Sequence, residues 1–232
     1  VYDTAERLCE GGKQLMKKQI AFTFDDIPSY ESLSDNPTAV IMKTLNDYGG
    51  KGTFFAVGSH IRKYGAAIPE QALKYGFELA NHTDTHRNLT KLDFSEIENE
   101  IYELQNTVNR LFGIDMKYMR PPGLNVNETV FSVTKKLEMP VIFGSRGKAD
   151  LSDWNPETSA EHIKRRCLEG AYSGQIVLMH GYSNATAEVF GSICENLSRE
   201  GYSFVTLSRL FEANGIERLP FDRPVFDVQS AY

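Results

Sequence analysis

Two carboxylates in succession, Asp25-Asp26, close the run Ile20-Ala21-Phe22-Thr23-Phe24. The run is short, apolar or β-branched, and is followed by the turn formers Pro28-Ser29, so it predicts a buried strand. Like charges this close resist joint ionisation unless a cation or donors stabilise them. The rest of the chain must therefore supply metal ligands or positive groups. His82-Thr83-Asp84-Thr85-His86 is an H-x-x-x-H element, and that spacing puts both imidazoles on one face of a helical turn, where they can share a metal. Of the five histidines, His82, His86 and His180 fall at or just after the ends of predicted strands. Two histidines and one carboxylate leave positions open for water and substrate, the pattern of a catalytic rather than a structural metal site.

These groups need a scaffold that gathers them. Strands are expected at residues 19–26, 52–57, 77–82, 116–120, 141–144, 175–180 and 202–207, separated by helical segments. One helix follows Asn36-Pro37, with Val40, Ile41 and Leu45 on one face, and stops at Gly49-Gly50. A helical region covers about 59–75. The longest helix spans about 94–112, with a stripe of Ile97, Ile101, Leu104, Val108, Leu111 and Phe112. Asp93 with Glu96 reads as its capping box and Gly113 as its stop. Further helices are expected near 127–138, 158–171, 185–200 and 208–213. Near-continuous apolar strands alternating with helices predict a parallel sheet covered on both faces. Seven such units fit either a barrel one unit short of eight or an open doubly wound sheet. In both, ligands belong at the carboxyl ends of the strands. Asp25-Asp26, His82, Arg120 and His180 all end predicted strands, so they should share one site.

Composition narrows the partners. The 232 residues fit one large α/β domain or two small ones, with 41% hydrophobic and 24% charged residues. A net charge of -6 and the absence of any basic run exclude nucleic acid as the expected partner. No apolar stretch approaches the ~20 residues of a membrane span. Cys9, Cys167 and Cys194 have no metal-type spacing and are odd in number, so no disulfide framework is expected. The chain starts at Val1 without a signal peptide, as expected of a processed chain or a module cut from something longer.

Thr23-Phe24-Asp25-Asp26, His82-x3-His86, Arg120-Pro121-Pro122-Gly123, Asp153-Trp154 and Leu178-Met179-His180 together resemble the motifs of the polysaccharide deacetylases (carbohydrate esterase family 4), in order and rough spacing. The resemblance covers about residues 19–210; each motif alone is weak, and the five together are specific. It implies a distorted (β/α) barrel with about seven parallel strands. Its implied domain layout is an N-terminal arm at 1–18, a catalytic domain at 19–214 and a C-terminal tail or linker at 215–232. The resemblance further implies that Asp26, His82 and His86 bind one divalent metal, zinc first, with cobalt or nickel also fitting. Asp25 would be the general base and His180 the general acid, oriented by Arg120 and Asp153 respectively. The Gly123 N–H would help hold an oxyanion, and Trp154 and Leu178 would wall the pocket for the acetyl methyl. Family members usually carry Gly after the two Asp, and Ile27 stands here; a positive φ at that position would strain it.

The expected function is removal of acetyl groups from acetylated xylan by a secreted, extracellular enzyme, with this chain as one module of a larger multidomain enzyme. An N-acetylglucosamine deacetylase acting on chitin oligomers or peptidoglycan is the alternative. An inactive carbohydrate-binding module is a third reading, disfavoured because both Asp25 and His180 are retained. A glycosidase would need two carboxylates flanking the scissile bond across ~5 Å or more, which an adjacent pair does not offer.

Overall fold

The computed structural model describes residues 18–30, 33–34, 36–144 and 150–232. The expected N-terminal arm therefore lies outside the described residues, apart from Lys18. The central strand is β1 (Lys18–Ile27), fully buried from Ile20 to Phe24. One edge of β1 pairs with β4 (Gln175–His180), in register from Ile20↔Gln175 to Asp25↔His180. The other edge pairs first with β5 (Tyr202–Phe204) and then with β2 (Thr53–Ala56). β3 (Glu78–Asn81) adds to β2, and every one of these pairings is parallel.

The ring continues past β3 by single bridges. Asn81 bridges to Met119, Met119 to Val141, Ile142 to Val225, and Asp227 to Gln175 of β4. The result is a distorted α/β barrel. The stretches 116–120 and 141–144, expected as full strands, are thus reduced to bridges. Pro121 and Pro122 follow Arg120, and Pro140 precedes Val141; none offers an N–H to extend a ladder. The segment after Arg218 had no readable pattern, yet Val225 is fully buried and closes the seam.

Residues alternate along β1 between two cores. Ile20, Phe22 and Phe24 face the surrounding helices, where Phe22 and Phe24 contact Phe190 edge-on at 5.1 and 5.5 Å. Ala21 instead joins Phe55, Ala80, Tyr118 and Ile176 inside the barrel. The period of two carries Thr23 and then Asp25 onto that inner face.

Among the helices, α1 (Pro37–Asp47) starts at Asn36, whose side chain accepts the Thr38 N–H; Ile41 and Leu45 are buried and Val40 is exposed. The region expected as one helix is two, α2 (Gly58–Tyr64) and α3 (Ala67–Lys74), interrupted at Gly65. α4 (Phe94–Phe112) has the Asp93–Glu96 capping box and ends at Gly113, as expected. Its stripe buries Ile97, Ile101, Leu104 and Val108, whereas Leu111 faces solvent. The remaining helices are α5 (Glu128–Lys136), α6 (Ala160–Glu169), α7 (Asn184–Arg199) and α8 (Leu207–Ala213). No helix among the described residues is long and apolar enough to cross a membrane.

The closing role of Val225 is testable. Val225→Ala removes two buried methyl groups and leaves a void, and should destabilise the fold by about 2 kcal/mol in denaturant titration. A variant as stable as the parent would show that the C-terminal segment is not part of the folded barrel.

Candidate active site

The two aspartates reach one site because β1 does not stay regular. Its register against β2 shifts between Phe24↔Phe54 and Ile27↔Ala56, so one residue is in excess on β1. Asp26 absorbs it with φ of 66°. In a regular strand Asp25 and Asp26 would point to opposite faces; a bulge re-aims side chains in this way. The left-handed conformation is least costly for Asn and Asp among non-glycine residues. The strain foreseen for Ile27 therefore falls on its neighbour. Ile27 itself is buried in the helix-side core.

Asp25 is 3% exposed. Its Oδ1 accepts a 2.7 Å hydrogen bond from Nη1 of Arg120, which is itself fully buried. Arg120 rises inside the barrel, with its guanidinium 4.1 Å over the Phe55 ring. Its Nε and Nη2 donate to the carbonyls of Ile142 and Phe143, each at 3.1 Å. Burial lowers the Arg120 pKa, Asp25 opposes that shift, and from so high a starting value the group stays charged. Asp25 thus has one oxygen held by a fixed positive charge, while Oδ2 lies 3.9 Å from Nε2 of His82.

Asp26 is placed differently. Its Oδ1 lies 3.1 Å from Nε2 of His86 and 3.5 Å from Nε2 of His82. That oxygen is buried and has no hydrogen bond of acceptable geometry among the described residues. Burial acts to raise the Asp26 pKa, but His86, His82 and His180 outweigh it and hold the carboxyl well below the usual carboxylate range. Nδ1 of His82 donates to the Arg120 carbonyl at 2.6 Å, because a carbonyl can only accept. The neutral ring, favoured by full burial, then turns the Nε2 lone pair toward Asp26.

The H-x-x-x-H element is not helical. His82 immediately follows β3, and a loop with φ of 68° at Thr83 and 59° at His86 folds the second ring back to 5.0 Å from the first. Side chains hold that loop where a helix would use its backbone. Asn81 Oδ1 accepts the Thr83 N–H at 2.8 Å, and Thr83 Oγ1 accepts the His86 N–H at 3.1 Å. Buried Glu100 of α4 accepts both the N–H and the hydroxyl of Thr85. Asp26, His82 and His86 offer three ligand atoms within 4.8 Å of one another. The orphaned Oδ1, the Nε2 lone pair of His82 directed toward it and the nitrogen-and-oxygen donor set fit a divalent cation.

Across the cavity stands His180. Its Nδ1 pairs with Asp153 Oδ1 at 2.9 Å, and its N–H donates to Asp153 Oδ2 at 2.8 Å. Thr186 Oγ1 also donates to Oδ2 at 2.8 Å, so Asp153 is fixed from three directions. Burial would lower the His180 pKa; Asp153 overrides it and raises the value. A cavity of about 670 Å³ joins both halves, and Gly123, Trp154 and Leu178 all line it. Gly123 adopts φ of 62°, which suits glycine there. Trp154 is 60% exposed, so it stands at the mouth rather than in the core. Every site residue singled out from sequence borders this cavity except Arg120, which acts from beneath it. Sequence reasoning missed Glu100 and the cavity-lining Tyr182, which carry no motif spacing.

The polysaccharide deacetylase profile matches residues 12–142. The chain belongs to the polysaccharide deacetylase family. It is 35% identical over 202 residues to a bifunctional xylanase/deacetylase of Pseudobutyrivibrio xylanivorans, covering 86% of this chain and 31% of that protein. It is 32% identical over 215 residues to a peptidoglycan-N-acetylglucosamine deacetylase of Listeria monocytogenes, covering 93% and 42%. The chain thus spans under half the length of both. Among solved structures it is similar to the Xyl-CE4 domain of a multidomain xylanase from the hindgut metagenome of Trinervitermes trinervoides, with TM-score 0.80, 30% identity, and 92% and 99% of the two chains covered. It is also similar to a family 4 acetyl xylan esterase from Clostridium thermocellum solved with a cobalt ion, with TM-score 0.79, 28% identity, and 91% and 99% covered. This family's deacetylases are hydrolases, and the distorted α/β barrel expected from the resemblance is the one observed, with five regular strands among the described residues where about seven were expected.

The Asp153–His180 pair has a measurable signature. A raised imidazole pKa means the folded chain binds that proton more tightly than the unfolded chain. The stabilisation it brings is fully present below the ordinary histidine value of ~6.5 and is lost as pH rises through the folded value. NMR titration should place His180 above the ordinary value, and Asp153→Asn should move it down. An unmoved titration in the variant would show that Asp153 does not set the charge of His180.

Proposed function

We propose that this chain is a metal-dependent carbohydrate esterase that hydrolyses acetyl groups on acetylated xylan. The observation that carries the reading is the split between neighbouring carboxylates. Asp25 is tied to Arg120 and withheld from the ligand trio, whereas Asp26 has a bare oxygen turned toward two histidines.

Asp26, His82 and His86 would hold the cation. Bound there, zinc, or cobalt or nickel in its place, would supply positive charge that lowers the pKa of a neighbouring water and stabilises negative charge on the acetyl oxygen. Arg120 fixes Oδ1 of Asp25, so Oδ2 is the oxygen free to take the proton of the attacking water. The Gly123 N–H would add a donor for the oxyanion. Asp153 occupies Nδ1 of His180, which leaves Nε2 to protonate the departing sugar oxygen. Leu178 and the Trp154 wall would enclose the acetyl methyl. A carboxylate with one oxygen tied to an arginine and an imidazole whose pKa a second carboxylate raises are the base and the acid that acyl transfer needs.

One finding supports xylan as the polymer. The similar Xyl-CE4 domain comes from a multidomain xylanase, which also supports the reading of this chain as a module of a larger enzyme. The similarity to a peptidoglycan-N-acetylglucosamine deacetylase keeps N-acetyl substrates as the second reading.

Acetate release should be faster, by kcat/KM, from acetylxylan than from chitin oligomers or peptidoglycan. Asp25→Asn should slow it by about 10²–10⁴ while metal content stays near that of the parent. A preference for the N-acetylated polymers would overturn the xylan assignment, and metal loss in Asp25→Asn would overturn the division of labour between the two aspartates.

A further inference from the structure

We infer that Tyr182 is a specificity-determining residue: it holds the sugar ring that bears the acetyl group, its hydroxyl donating to a sugar oxygen beside the scissile bond. The inference rests on the acetyl-hydrolysing reading above and adds a contact to the sugar, which the residues that surround the acetyl group do not provide.

Tyr182 lines the cavity two residues beyond His180, on the turn between β4 and α7. Its ring lies 5.4 Å from the His180 ring, inclined by 50°. A group that receives a proton from His180 must therefore bring its sugar past the Tyr182 face. The hydroxyl also reaches across the cavity wall, to 3.4 Å from the Trp154 carbonyl. At that length the bond is weak, and a closer sugar oxygen would capture the proton. Tyr182 and the exposed Trp154 indole thus stand together at the mouth, two amphipathic rings with an apolar face for a pyranose and a polar tip for its hydroxyls.

The turn that carries Tyr182 is rigid, as a specificity contact requires. The Gly181 N–H donates to the Asp25 carbonyl at 2.9 Å, and the Gly181 carbonyl accepts from Thr38 Oγ1 at 2.7 Å. A Cβ at position 181 would sit 2.6 Å from Ile27 Cγ2, so the turn is pressed against the end of β1. Ser183 then caps α7 by accepting the Thr186 N–H. Burial, with Asp26, Asp153 and Asp25 nearby, pushes the Tyr182 hydroxyl up to about 12. It therefore remains a neutral donor throughout the pH range in which His180 titrates.

Tyr182→Phe keeps the ring and removes the donor; Tyr182→Leu removes both. Binding of xylotetraose, which has no acetyl group, is measured by calorimetry, and kinetics are run on acetylxylan and on 4-nitrophenyl acetate, which has no sugar. Loss of one such hydrogen bond corresponds to up to about tenfold in affinity. Tyr182→Phe should weaken xylotetraose binding and raise KM for acetylxylan by about that factor, with kcat nearly unchanged and a clearly smaller effect on the aryl acetate. Tyr182→Leu should lose more on both sugar readouts. Equal losses on acetylxylan and the aryl acetate, or unaltered xylotetraose binding in Tyr182→Phe, would overturn the inference. Wild-type acetate release tests the acetyl-hydrolysing reading, whereas the variant-to-parent ratio in sugar binding tests Tyr182, so the two fail separately.

Discussion

Two carboxylates side by side at the end of a buried strand lose hydration and repel each other when ionised, and the surrounding structure answers each in a different way. Arg120 answers Asp25 with a full positive charge at 2.7 Å, buried beside it. Among the described residues, Asp26 is met by imidazoles and keeps an oxygen without a hydrogen bond. A buried polar atom without a partner is costly, and a divalent cation removes that cost. The bulge that turns Asp26 to the same side as Asp25 is therefore the feature on which the site depends. Without it Asp26 would point into the helix-side core with Phe22 and Phe24, and no ligand set would form.

The barrel is arranged to hold this pair. Arg120 lies inside it, stacked on Phe55 and anchored to the carbonyls of Ile142 and Phe143. Removing either partner of this buried pair would leave an uncompensated charge, typically worth several kcal/mol. β1 sits beside β4, and the Asp25↔His180 register brings base and acid to neighbouring strand ends. The loop with His82 and His86 is fastened to α4 through Glu100 and to β3 through Asn81. Each functional side chain is therefore positioned by an element whose own position is set by core packing.

Much of this was legible because strand ends are visible in sequence. A buried strand reads as an apolar run, and a charged residue at its end stands out against it; Asp25, Asp26, His82, Arg120 and His180 were found that way. What sequence could not show was backbone departing from regular geometry. The spacing of His82 and His86 matches a helical turn, but Thr83 and His86 adopt positive φ and the Thr85–Glu100 contacts hold a loop instead. The bulge at Asp26 leaves no compositional trace, since Asp tolerates that conformation. Prolines cut short the strands expected at 116–120 and 141–144. Val225 was overlooked because one bridge needs only one buried residue, too little for a period. Tyr182 escaped because an aromatic residue in a loop has no pattern until the cavity is seen.

The division of labour between Asp25 and Asp26 is tested most directly by crystals of the chain soaked with zinc or cobalt, with the ion located by its anomalous scattering. One ion should lie within ligand distance, about 2.0–2.2 Å, of a carboxylate oxygen of Asp26 and of Nε2 of both His82 and His86. Asp25 should remain on Arg120 and outside the ligand set. An ion bound by Asp25, or one bridging both aspartates with Arg120 displaced, would contradict the account.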